Sequence, residues 1–198
     1  MIKQAEIQKL AGKDGVRDAQ TEKDYILSWI LTGISHAEDL RAALAFKGGT
    51  VLKKFYFDDY RFSEDLDFTL LNDTLNNSAI RELFDAAFRY VKEEANIDLG
   101  VDEFSEHETE TINFYISYSG PLGGSGANKK VKVDISKSEI LVFALEERQM
   151  IKRYWQSLAA HMLFGKSGVV VHFCHNRARP HRLHSIVVLH LMSTAIIQ

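Results

Sequence analysis

Between residues 65 and 71 apolar and polar positions alternate. Leu66, Phe68 and Leu70 point one way, and Asp65, Asp67 and Thr69 point the other. This predicts a strand with one buried face. Ile112, Phe114, Ile116 and Tyr118 repeat the pattern, as do Val131, Val133 and Ile135. The stretch GPLGGSGANKK, residues 120–130, predicts a long flexible hairpin loop between those two strands. On the second of them Lys130, Lys132 and Asp134 face away from the valines. A 3.6-residue period takes over at 77–97, where Ile80, Leu83, Phe84, Ala87, Phe88 and Val91 form one stripe. Asn77 or Ser78 is its expected cap. Residues 21–33, TEKDYILSWILTG, predict a helix capped by Thr21, with Glu22 and Asp24 as capping and surface charge. A second helix is expected over 36–46, ending before Gly48, and a third over Val51–Phe57. The elements predict an α/β (α+β) fold, a small mixed sheet flanked by helices. From about Tyr154 the period decays.

The chain has 198 residues, enough for one domain with a sizeable core, and its hydrophobic and charged fractions are those of a globular protein. One cysteine, Cys174, excludes an internal disulfide and fits a reducing cytoplasm. The N-terminal MIKQAEIQKL lacks a signal-peptide core, and no apolar run reaches membrane-span length. The net charge of −3 conceals an asymmetry. Up to Glu147 there are 17 basic and 27 acidic residues; beyond it there are seven basic residues and no acidic one. Five of the eight histidines lie at or after His172. The expected division is a core over 1–153 and a basic, histidine-rich tail over 154–198.

The chemistry concentrates in FKGGTVLKKFYFDDYRFSEDLDFTLL, residues 46–71. A glycine turn offers backbone N–H groups to phosphate oxygens. Two carboxylates at i and i+2 on a strand share a face and can hold Mg²⁺. Asp65 and Asp67 therefore suit the metal, and Asp134, if its strand neighbours theirs, is the third catalytic carboxylate. Gly48, Gly49 and Thr50 suit the β- and γ-phosphates of a nucleoside triphosphate (NTP). Lys47, Lys53, Lys54 and Arg61 are the candidate neutralising cations, with one of Lys53 and Lys54 expected in solvent.

Lys47-Gly48-Gly49-Thr50 with Arg61, Ser63, Asp65 and Asp67 resembles the first motif of the AbiEii/AbiGii-type nucleotidyltransferases, toxins of type IV toxin–antitoxin systems. EKDYILSWIL, residues 22–31, resembles that family's N-terminal helix. KVKVDIS, residues 130–136, sits where the strand with the third acid is expected. The resemblance covers roughly residues 1–153. It implies a polymerase-β-like core, a nucleotide-binding role for Lys47, Gly48, Gly49, Thr50, Lys53, Arg61 and Ser63, Mg²⁺, transfer RNA as acceptor, and an antitoxin partner.

The tail departs from the family. The resemblance implies an A-E-K-L-like helix and an R-D-L-x-D motif, and neither is present. Yet ARPHRLHSI, residues 178–186, written in suitable codons and read from the second base, gives RDLIDFIV. This predicts a change of reading frame near codon 155, and a tail that packs poorly and adds no catalytic group. His172, Cys174 and His175 match no common closed zinc spacing. Two other readings stand beside the toxin: an inactive remnant retaining nucleotide or antitoxin binding, and a nucleotidyltransferase acting on a small molecule of the antibiotic type.

Overall fold

The computed structural model describes residues 1–104, 110–124, 129–139, 145–151, 153–154 and, as backbone, 169–171. Helix α1 is Gln4–Asp14 and ends on Gly15 in the left-handed conformation. Helix α2, Asp18–His36, is the central pillar. Its residues from Thr21 to Ser35 are buried almost without interruption, on every face of the helix. Thr21 therefore lies inside the helix and is not its cap. Helix α3 is short, Glu38–Ala43, and strand β1 follows at once over Leu44–Lys47. The expected single helix over 36–46 is thus a helix and a strand. The reason is tertiary: Leu44, Ala45 and Phe46 are all buried, and Leu44 and Phe46 pair across the sheet with Leu70 and Phe68.

After Gly48 one α-turn, α4 over Gly49–Val51, runs into a π-helical turn, Leu52–Tyr56. Strand β2 is Leu66–Leu70. Helix α5, Asn77–Ala95, is capped by the Asn76 side chain, which accepts from the Ala79 N–H at 2.8 Å, one residue before the expected cap. Strands β3 (Asp98–Asp102), β4 (Thr111–Ser119) and β5 (Lys130–Ser136) follow, then the short β6 (Glu146–Arg148) and β7 (Val169–Val171).

The seven strands form one mixed sheet in the order β3-β4-β5-β2-β1-β7-β6. β2 runs parallel to β5 and antiparallel to β1, and β7 runs parallel to β1. The apolar faces of β1, β2, β4 and β5 join the helices in one core, where Phe84 of α5 meets Phe114 edge-on at 5.1 Å. α2 and α5 pack closely because Gly33 has no side chain; a Cβ there would stand 2.7 Å from Val91 and 2.8 Å from the Ala87 carbonyl. The alternate residues of the same strands form the opposite, polar face. In the expected tail, the backbone of Val169–Val171 pairs as a strand beside β1. The late histidines and Cys174 lie outside the described residues.

Candidate functional site

Strand register decides which polar side chains meet. One row across the polar face holds Lys47 of β1, Asp67 of β2, Asp134 of β5 and Asn113 of β4, each paired directly with the next. The next row holds Ala45, Thr69, Ser136 and Thr111. Asp65 precedes β2, two residues from Asp67 on the same face, and is exposed.

The glycine turn closes on this row. Gly48 has φ +82° and ψ −169°, a conformation that side chains disfavour. A Cβ at Gly48 would lie 2.2 Å from Asp67 Oδ2. A Cβ at Gly49 would lie 3.5 Å from Ser63 Oγ and 3.7 Å from an Arg61 guanidinium nitrogen. The Thr50 hydroxyl donates to the Asp65 carbonyl at 2.6 Å, tying the turn to the start of β2. Gly48, Gly49, Thr50, Arg61, Ser63, Asp65 and Asp67 therefore converge, although the Thr50 hydroxyl is engaged internally. The loop from Phe57 to Asp65 makes this possible by bringing Arg61 and Ser63 back over the turn.

The lysines are placed differently from expectation. Lys47 forms an ion pair with Glu139 and donates to Ser136 Oγ at 3.0 Å; Glu139 also accepts from Thr69 Oγ1 at 2.7 Å. Lys53, expected on the nucleotide, is buried and donates to the Asp58 and Tyr60 carbonyls at 3.1 and 2.8 Å, with its ammonium 4.2 Å from the Phe62 ring centre. It fixes the loop that carries Arg61. Lys54 is buried too, so neither lysine is the solvated one. Its ammonium pairs with Asp24 at 2.8 Å and donates to Ser28 Oγ at 2.9 Å.

Asp24 and Glu22 are likewise buried, not surface charge. Burial pushes the Asp24 carboxyl up, but Lys54 and the Tyr154 hydroxyl hold it below the ordinary value. Glu22 accepts from the Leu122 N–H at 2.7 Å and pairs with Lys129, clamping both ends of the β4–β5 loop to α2.

Asp134 is half-buried. Its Oδ2 accepts from Lys132 at 2.7 Å, while its Oδ1 is buried and has no hydrogen-bond partner. That hydrogen bond, with the charges of Asp134 and Asp65, holds the Lys132 amine above its ordinary range. Sequence reasoning missed Glu139 in this polar face: it follows β5 after Ser136, where no period marks it. Among the described residues no three Asp, Glu, His or Cys side chains converge into a ready-made metal cage. No described helix is long and apolar enough to cross a membrane.

No curated protein matches the chain. The family described as the nucleotidyl transferase AbiEii toxin of type IV toxin–antitoxin systems matches residues 29–170. That span begins within α2, contains the glycine turn, both aspartates of the Asp65/Asp67 pair and Asp134, and continues past residue 153 to β7. With nearly three quarters of its length matched and the polar sheet face assembled from the same motifs, the chain belongs to the AbiEii family of nucleotidyl transferase toxins.

Proposed function

We propose that this chain moves a nucleotide from an NTP to a cellular acceptor in a Mg²⁺-dependent reaction, with transfer RNA as the acceptor. The observation that supports it best is the contact between Gly48 and Asp67: the turn suited to phosphate and the carboxylate suited to metal share one spot. The donor set fits Mg²⁺. Mg²⁺ commonly takes one or two carboxylates and completes its shell with water and substrate phosphates, so a three-carboxylate cage is not required. Asp67 and Asp134 are register partners on adjacent strands, and the unpartnered, buried Asp134 Oδ1 is a hard oxygen donor in need of a cation.

In this reading Asp65, Asp67 and Asp134 would hold the metal, which supplies charge neutralisation to the phosphates and acidifies the attacking hydroxyl. The glycine turn places the triphosphate against Asp67 through backbone N–H groups. Arg61, exposed beside Gly49, neutralises the departing pyrophosphate. The acceptor oxygen attacks the α-phosphorus, the bond to the bridging oxygen breaks, and pyrophosphate leaves. The hydroxyl proton passes to an Asp134 oxygen or to water. Family membership supports an antitoxin partner that binds the toxin, and the single cysteine supports a cytoplasmic site.

The test is incorporation of label from each NTP into transfer RNA, with and without Mg²⁺. Label from one NTP, lost in Asp67→Asn at unchanged folding, is the expected result; unchanged transfer by Asp67→Asn sinks the assignment. One observation favours the inactive remnant: Lys47 and Lys53 are engaged with internal partners, leaving Arg61 of the three cations assigned to the nucleotide. That reading gives no transfer in this assay, with NTP binding retained in a separate titration.

A further inference from the structure

Lys132 bears on the same carboxylates from the other side of the row. Its ammonium is 2.7 Å from Asp134 Oδ2, on the strand face that Asp67 and Asp134 share. Asp65 also acts on it electrostatically. An ammonium here does what a divalent cation would do: it offsets negative charge where carboxylates crowd. It does so incompletely, because Asp134 Oδ1 stays buried without a partner. The pair is not locked in the core. The Lys132 side chain is 43% exposed, with a flexible stem and solvent into which to swing.

We propose that Lys132 is an exchangeable counter-ion: its ammonium occupies the cation position at Asp134 in the metal-free protein, and a divalent ion binds by displacing it. The inference rests on the metal reading given above for Asp67 and Asp134. Displacement has a second effect. It releases a positive charge at the edge of the site next to Tyr115, which is the register partner of Lys132 on β4. The released amine is then available to a phosphate of the acceptor, so metal binding prepares the acceptor side.

Lys130 supplies an internal control. It lies two residues away on the same strand face, but its ammonium pairs with Asp102 and Glu103 at 2.7 Å each. The experiment is titration of the full-length protein with Mn²⁺ alone, read by electron paramagnetic resonance of the free ion, without NTP or RNA. Removing a competing, partly exposed ion pair should tighten Mn²⁺ about fivefold in Lys132→Met. Lys132→Arg keeps a cation on Asp134 and should bind like the wild type. Lys130→Met should change affinity by less than about twofold.

Equal affinities for wild type and Lys132→Met overturn the exchange while leaving the metal site intact. Equal tightening in Lys130→Met overturns it as well, because a general field effect would then account for the gain. Tightening in Lys132→Arg as large as in Lys132→Met overturns it too. If the wild type and Lys132→Met both bind no Mn²⁺, the metal reading and the exchange fall together.

Discussion

Gly48 shows how narrowly the site is specified at the scale of one residue. Its left-handed φ and the Asp67 carboxylate behind it both exclude a side chain. Gly48→Ala should cost about 1–2 kcal/mol of stability from backbone strain. It should also push Asp67 out of its row, so NTP binding should fall far more than the melting temperature predicts. Thermal unfolding beside NTP titration separates the two effects. Asp24 makes the second prediction. Its pKa in the folded chain lies below the ordinary 3.8, so its stabilising contribution is complete above that value and disappears as pH falls through the folded value. Asp24→Asn leaves Lys54 buried and unpaired. It should cost about 3–5 kcal/mol near neutral pH and flatten the loss of stability below about pH 4. Denaturant melts across pH 2.5–7 would check this, and an unchanged acid slope would refute it. The meeting of the glycine turn with Asp65 and Asp67 was legible because their order and spacing along the chain bring them together. The fates of Lys47, Lys53 and Lys54 were not, since a lysine's partner depends on what the fold brings to it from elsewhere.

At the scale of elements, β2, β4, β5 and α5 were plain in the sequence because each buries one face and keeps its period. α2 was harder to delimit, since a helix buried all round has no polar stripe to mark its ends. β1 was missed for a related reason. Leu44-Ala45-Phe46 is a short apolar run with no alternation, and only its pairing with β2 makes it a strand. α1 and β3 went unnoticed: α1 buries little beyond Ile7 and Ala11, and Asp98–Asp102 is only half-buried. The α2–α5 contact gives a further prediction. Gly33→Ala places a methyl group against Val91 and the Ala87 carbonyl, and overpacking of this kind costs about 1–3 kcal/mol. Chemical denaturation should show that loss, and Gly33→Ala combined with Val91→Ala should recover part of it. No recovery would mean that the carbonyl, not the side chain, sets the limit.

The whole molecule is bound together through Tyr154. It is buried at 4% exposure, hydrogen-bonds to Asp24 and meets Tyr25 edge-on at 5.4 Å. Its neighbour Arg153 pairs with Asp14 at the end of α1 and with Asp58 at 3.1 Å. The Ile151 N–H donates to the Lys54 carbonyl at 2.7 Å. The core therefore extends at least to residue 154. Tyr154→Phe should cost about 1–3 kcal/mol, because Asp24 loses a hydrogen bond to a buried charge. Truncation after residue 150 should cost more, since it also removes the Arg153 pairs and β7. Stability of the truncated chain equal to that of the full chain would show these contacts to be incidental. The family match through residue 170 and the pairing of β7 with β1 extend past codon 155, where the change of reading frame is expected, and sequencing of the coding DNA checks that expectation.

The order of strands also fixes when the candidate row can assemble. Asp67 meets Asp134 through a parallel pairing that needs the whole α5–β3–β4 excursion in place, and Phe46 meets Val171 later still. Pairings so distant along the chain form slowly and only after the intervening loops close. A ribosome making this toxin from its N-terminus displays the glycine turn and the first two carboxylates long before the third exists. The nascent chain therefore has no complete candidate row until Asp134 has been made and β5 has paired with β2.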